Sequence, residues 1–326
     1  MCGIVAMMST EKRVNATVRA KVFTQGVIVD TMRGHHSTGL VYVDDDGDVE
    51  TYKKAMPGYD FVDTPKFNSI TDDIYKYPFL IAHNRWATKG KVNANNAHPF
   101  QHDHITGVHN GSLYTWRGLA PNHDFETDSE YIFRGLADAE DNADILEHID
   151  GAFALVWHDA RDNTVHVCRN DDRPFHIAHV KGEDTIVCCS EEEMLRFILD
   201  RNGMDTDTIY QAGSGYEFTF SLDNLSKPRV REHTLLEDSW GNYRYSNYNG
   251  WEDSYAATRN RINTSSANIT TIDKNEDPNS PVGTRIRCNI MDFVKYSGSG
   301  DYGYLHAMSI EDPYDIVRVN GLTSKE

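Results

Sequence analysis

Positive charge is scarce in this sequence: 32 Lys and Arg stand against 50 Asp and Glu, a formal net charge of −18. A surface of that sign repels phosphate backbones, which excludes nucleic acid as a direct ligand. Long hydrophobic runs are missing too. No apolar stretch approaches the ~18 residues of a membrane span, and the N-terminus has no basic segment leading into an apolar one. A cytoplasmic chain without membrane contact is expected. Cysteine is sparse, five in 326 residues, with no CxxC spacing and no metal-like Cys/His pairing. This argues against a disulfide framework or a structural zinc site. Cys168, Cys188 and Cys189 lie in apolar, strand-like runs and read as small core residues.

What is present is a chain long enough for about two units. Up to residue 238, short runs rich in β-branched and aromatic residues alternate with Asp/Asn/Gly clusters, predicting strands over 4–8, 39–43, 78–83, 105–109, 152–158, 165–169, 175–179, 185–189 and 215–220. Helical patterns cover 10–26, 127–139, 143–149 and 191–202. In the second of these, Thr127 with Glu130 three residues on has the form of a capping box. Many strands and few helices in mixed order indicate an α+β fold. Residues 239–281, dense in Asn, Ser, Tyr, Thr and Asp, read as a polar linker or loosely packed segment. Apolar alternation returns over 282–326, a small β-rich appendage of unknown role. The acidity falls almost wholly on residues 1–238.

Two polar clusters invite a metal reading that their spacing does not support. His98, His102, His104 and His109 lack fixed ligand spacing and read mainly as a solvated loop, and 44–48 lacks the bidentate Glu of a calcium loop and reads as a hairpin turn. No metal and no cofactor is expected.

Cys2 is different. Methionine before a residue as small as cysteine is normally trimmed, which would leave Cys2 with a thiol and a free α-amine of pKa ~7.7–8, a nucleophile and its base in one residue. Position alone would not carry this reading. The sequence also holds, in order, Cys2-Gly3-Ile4, Arg33-Gly34-His35-His36-Ser37-Thr38-Gly39, His83-Asn84-Arg85-Trp86-Ala87-Thr88-Lys89-Gly90, Val108-His109-Asn110-Gly111-Ser112, Glu126-Thr127-Asp128-Ser129-Glu130, Gly151-Ala152-Phe153 and Cys189-Ser190-Glu191. Over residues 2 to about 220 this set resembles the class II glutamine amidotransferase domain, an N-terminal-nucleophile (Ntn) hydrolase like the glutaminase domains of glucosamine-6-phosphate synthase, amidophosphoribosyltransferase and asparagine synthetase.

The resemblance implies a four-layer αββα sandwich and assigns roles that the residue chemistry can perform. Cys2 is the nucleophile, and Asn110 and Gly111 supply oxyanion donors from side-chain amide and backbone N–H. Arg85 offers a planar fork to the carboxylate of glutamine and Asp128 a negative partner to its ammonium. Trp86 and Thr88 shape the pocket, and Arg33 holds the loop around the nucleophile. Taken singly, Asn110-Gly111 is also an ordinary hairpin turn, Asp128 an ordinary helix cap and Arg85 a surface cation at a strand end. This sequence departs from the synthase branch at Lys89, where His is usual, at Asn84, where Thr is usual, and at His35-His36-Ser37, which replaces Tyr-Asp-Ser.

Such domains usually feed ammonia to a fused synthase. Residues 239–326 contain no Walker or SGGxDS-like phosphate loop, so a separate ammonia-accepting synthetase is the expected partner. A homo-oligomer stays open. Two other readings fit the same residues: an Ntn amidohydrolase acting on another amide or γ-glutamyl compound, and a non-catalytic binding module of this fold.

Overall fold

The computed structural model describes residues 2–11 and 14–236, together with the backbone of three strands between residues 288 and 323. In chain order the elements are β1 (Gly3–Ser9), α1 (Ala16–Asp30), β2 (Ser37–Val43), β3 (Val49–Lys54), α2 (Gly58–Phe61), α3 (Pro65–Asp72), β4 (Phe79–Arg85), β5 (Phe100–His102) and β6 (Ile105–Thr115). They continue with α4 (Asp128–Asp138), α5 (Ala143–Leu146), β7 (Asp150–Asp159), β8 (Thr164–Arg169), β9 (His176–Val180), β10 (Thr185–Cys189), α6 (Glu192–Arg201), β11 (Thr206–Gln211), β12 (Tyr216–Ser221) and β13 (Asn224–Glu232). The chain divides into two compact units, Met1–Asn247 and Tyr248–Glu326. In the second, β14 (Cys288–Lys295), β15 (Tyr302–Ser309) and β16 (Ile316–Thr323) form a three-stranded antiparallel sheet. The polar segment expected over 239–281 lies outside the described residues.

In the first unit a seven-stranded sheet of order β11-β9-β10-β1-β4-β2-β3 faces a six-stranded sheet of order β13-β12-β8-β7-β6-β5, and every ladder is antiparallel. Ile4, Ala6, Met8, Phe79 and Ile81 of the first sheet pack against Val108, Val156, Val165, Val167 and Phe220 of the second in one buried core. On the outer face of the second sheet, Tyr131, Ile132, Phe133 and Leu136 of α4 close over Phe153, Leu155 and Trp157. Helices α1 and α6 pack together over the first sheet. The expected αββα order of layers follows.

All nine expected strands are present. The four that the pattern missed, β3, β5, β11 and β13, are the outer strands of the two sheets. An outer strand pairs on one side only and stands largely in water, so it carries polar residues such as the Lys-Lys end of β3 instead of an apolar run. The short helices α2 and α3 were also unread.

Two local expectations are corrected. Helix α1 starts at Ala16 and ends at Asp30, not over 10–26, because Gly26 is no terminator. It is the point at which the helix touches the sheet, and a Cβ there would lie 2.7 Å from Val5 Cγ1. The capping box of α4 does not form: Thr127 is the N-cap but makes no side-chain cap bond, and its hydroxyl is buried without a partner. The carboxylate of Asp128 instead accepts the Leu113 N–H at 2.9 Å, where the β6–β7 register shifts.

Alanine at position 26 would normally stabilise a helix interior by about 1 kcal/mol. Here the contact with the stiff, β-branched Val5 reverses the sign, and Gly26→Ala is expected to lower stability by about 1–3 kcal/mol, read as a fall in the urea midpoint.

Candidate active site

Alternation along the strands decides which side chains meet at the end of the gap between the sheets. Ile4, Ala6 and Met8 face the gap, so Cys2, two residues earlier, does too; Phe79 and Ile81 put His83 and Arg85 on that face, and Val108 puts Asn110 there from the opposite sheet. Register brings Ile4 beside His83 and Gly3 beside Asn84. His83 Nε2 lies 3.0 Å from the His109 carbonyl and ties the two sheets together at this end.

The Cys2 thiol is buried. Its Sγ accepts the Trp86 N–H at 3.3 Å and lies 3.6 Å from the Trp86 carbonyl. Burial pushes the thiol pKa up, against the Trp86 hydrogen bond and the positive charges of Arg85 and Arg33, which pull it down. Arg33 donates from Nε to the Cys2 carbonyl at 2.8 Å and pairs through its other end with Glu191. Next to Glu191, the Ser190 hydroxyl accepts the Ile4 N–H at 2.9 Å. The Cys189-Ser190-Glu191 motif thus grips the backbone of the first strand on both sides of Gly3. Gly3 itself cannot be larger, because a Cβ there would lie 2.0 Å from an Asp30 carboxylate oxygen.

Arg85 is buried, and burial lowers its pKa against the negative fields of Cys2 and Asp128. Its guanidinium donates to the carbonyls of Lys89 and Lys91, so the turn after β4 folds back over it. Asp128, also buried, opens α4, where a negative charge suits the helix dipole. The Lys89 ammonium lies 3.3 Å from Asp128 Oδ2, hydrogen-bonds the Leu113 carbonyl and sits 3.7 Å from the centre of the Trp116 ring. Trp86 stands at the mouth, 42% exposed, with the rings of His35 and His36 5.1 and 4.9 Å away. Thr88 is exposed on the same turn.

Asn110 is wholly buried, yet neither its amide nitrogen nor its oxygen has a hydrogen-bond partner. At Gly111 a Cβ would lie 1.8 Å from the Ala152 carbonyl, so the strand tolerates no side chain. Beneath them His109 bonds Ser129 through Nδ1 at 2.9 Å, and burial lowers its pKa to about 4; burial lowers that of His83 to about 3. Both rings are neutral near pH 7. His98 is buried against His83, with ring centres 4.0 Å apart, so it belongs to the core and not to the solvated loop expected for it, while His109 is buried within the strand predicted over 105–109. The acidic turn at 44–48 is the expected hairpin, with Asp44 Oδ1 accepting from the N–H groups of Asp46 and Asp48.

The sequence reading named Cys2, Arg33, Arg85, Trp86, Asn110, Gly111 and Asp128; hydrogen bonds join Cys2 to Trp86 and Arg33, charge interactions join Arg85 to Cys2 and Asp128, and strand alternation puts Asn110 on the inner face of the opposite sheet, with Gly111 next to it. It missed Arg173, whose positive charge reaches Cys2, and Asp30, whose carboxyl is raised to about 7 by burial. Neither stands in a recognisable pattern; both are brought in by long-range packing. Among the described residues, the acid-and-histidine group whose ligand atoms converge is Asp159, Asp162 and His166, and both His166 nitrogens are already held by Glu217 and Thr164.

Comparison with known proteins supports a domain family for part of the chain. The glutamine amidotransferase domain family matches residues 83–197. The chain carries a class II, Ntn-type glutamine amidotransferase domain. Glutamine–fructose-6-phosphate aminotransferase of Photorhabdus laumondii is 28% identical over 203 residues, 56% of this chain and 31% of that protein. The enzyme of the same name from Thermotoga maritima is 28% identical over 270 residues, 76% and 42% of the two chains. The chain thus spans about a third of the length of most of these relatives. Among solved structures, the glutamine phosphoribosylpyrophosphate amidotransferase of B. subtilis superposes with a TM-score of 0.55 at 17% identity, over 71% of this chain and 49% of that one. An allosteric regulatory enzyme of purine biosynthesis superposes at 0.56, also with 17% identity, over 73% and 50%. At such identity these two bear on the fold, the αββα sandwich of the Ntn amidotransferase domain. Among the described residues no helix is long and apolar enough to cross a membrane.

The elevated thiol pKa has a consequence that labelling reads directly. Since the thiolate is the reactive form, iodoacetamide should modify Cys2 in the folded amidotransferase domain slowly near pH 6.5, with a rate rising about tenfold per pH unit up to pH 8.5. Peptide mapping should find Cys168, Cys188 and Cys189 unmodified, because burial holds their thiols protonated.

Proposed function

We propose that the domain hydrolyses the side-chain amide of glutamine, with Cys2 as N-terminal nucleophile once Met1 is removed, and delivers the ammonia to a separate synthetase. The observation that carries this reading is Asn110, a buried amide with both polar atoms unpaired on the strand face opposite Cys2. Leaving such a group unsatisfied costs about 1–3 kcal/mol, a cost that a fold retains where a ligand completes the hydrogen bond.

The raised thiol pKa calls for a base, and the α-amine of Cys2, with pKa ~7.7–8, takes the thiol proton directly or through one water. Sγ then bonds to the amide carbon, and the oxygen charge is met by Asn110 Nδ2 and the Gly111 N–H. As the carbon–nitrogen bond breaks, the α-ammonium returns the proton to the departing ammonia. Water next attacks the γ-glutamyl thioester, giving glutamate and restoring the thiol. Arg85 takes the substrate carboxylate and Asp128 its ammonium, with Trp86 and Thr88 at the pocket wall and Arg33 holding the Cys2 carbonyl. Arg85 now binds carbonyls of its own turn, so the segment 86–91 withdraws when substrate enters.

Intact mass and ammonia release test this together. The purified chain is expected to lack Met1, to release ammonia from glutamine without any acceptor, and to gain one adduct from 6-diazo-5-oxo-norleucine that Cys2→Ala abolishes. Asn110→Ala should lower kcat by about 10²–10³ with Cys2 labelling by iodoacetamide retained. Full ammonia release by Cys2→Ala would overturn the reading.

A further inference from the structure

One residue occupies both halves of the clamp formed by Arg85 and Asp128. The Lys89 carbonyl accepts from the Arg85 guanidinium, and the Lys89 ammonium reaches Asp128 Oδ2 at 3.3 Å. The same ammonium donates to the Leu113 carbonyl and lies 3.7 Å from the centre of the Trp116 ring. An anion, a carbonyl acceptor and an aromatic face are the three elements by which proteins recognise a primary ammonium, which has three N–H donors to place and a charge that the ring face attracts. The subsite is built, and the chain's own ammonium fills it. Gly90, in the left-handed region at φ 74°, supplies the turn that folds the segment back, and its Cβ position lies 3.0 Å from the Glu126 carbonyl. Asp128 makes its other bonds to the N–H groups of Leu113 and Ser129, so among the described residues Lys89 is the side-chain cation within ion-pair distance of it.

We infer that Lys89 is a specificity-determining residue: a tethered ammonium that competes with the α-ammonium of an incoming amino acid for Asp128. This rests on the reading of the site as an amide-hydrolysing one and adds what the pocket selects. A tethered group acts at an effective concentration in the millimolar range, so a free amino acid must outcompete it at every encounter, whereas a carboxylic acid amide lacking an α-amine has nothing to displace from Asp128. The wild-type pocket therefore draws little advantage from the α-amine of glutamine, and its substrate class extends to ω-amides of simple carboxylic acids.

The test compares glutamine with glutaramate, its des-amino analogue, by calorimetric titration of the full chain carrying Cys2→Ala to prevent turnover. The same titrations are made after adding Lys89→Met, which removes the charge and keeps the stem, or Lys89→Arg, which keeps the charge. Expected are affinities within about threefold of each other for the two ligands with Lys89 or Arg at the position, and a gain of tenfold or more for glutamine alone in Lys89→Met. A tenfold preference for glutamine with Lys89 in place, an equal gain for both ligands in Lys89→Met, or no binding of either ligand to any of the proteins overturns the proposal. Ammonia release by the Cys2 chain is recorded in parallel. Release without the selective gain removes Lys89 from the specificity of the site and leaves hydrolysis standing. A selective gain without release supports the role of Lys89 and overturns hydrolysis.

Discussion

Strand β1 hydrogen-bonds a neighbour on each side, β10 and β4, and is covered on both faces, by the helices outside and the opposing sheet within. All seven of its residues are buried. A strand so enclosed has one register, because a slip by one residue would turn Ile4, Ala6 and Met8 out of the core. Cys2, immediately ahead of it, inherits that certainty of position. The grip is extended by the Arg33 bond to the Cys2 carbonyl, the Glu191 pair behind Arg33 and the Ser190 bond to Ile4. For the proposed role of Cys2 as nucleophile, a fixed position is the geometric condition for efficient attack.

The electrostatics of the site run against those of the molecule. The chain carries a net charge of −18, yet Arg33, Arg85 and Arg173 all act on the surroundings of Cys2. His83 and His109 contribute no charge near neutral pH, because burial holds both rings neutral. The thiol therefore sits between burial, which keeps its proton on, and cations, which favour its loss. That balance suits a nucleophile that gives up its proton to a nearby base as the reaction proceeds instead of standing as a permanent thiolate.

Much of the architecture was legible because burial leaves a local trace. The inner strands read as apolar runs, and α4 shows its buried face as Tyr131, Ile132, Phe133 and Leu136. Where burial is one-sided the trace fades, and the outer strands β3, β5, β11 and β13 went unread. Local rules misled where tertiary contact overrode them. Gly26 looked like a helix end and is a point of close packing against Val5, and Thr127 looked like the partner of a capping box while Asp128 does its bonding elsewhere. His98, a polar residue beside a proline loop, turned out to be core.

The sequence by itself determined the inner strands, an α+β class, and a small set of residues whose chemistry could supply a nucleophile, two donors, a cation and an anion; the αββα layering was implied by the resemblance of its ordered motifs. These are properties of residue identity and short-range spacing. Only the tertiary structure decided that Asp30 packs where Gly3 has no side chain, that Arg173 acts on Cys2, and that Glu191 reaches Arg33 from 158 residues away. It alone laid the Lys89 ammonium on Asp128, 39 positions along the chain. Such pairings depend on how two sheets and their connecting turns close in space, and no local pattern of side chains carries that information.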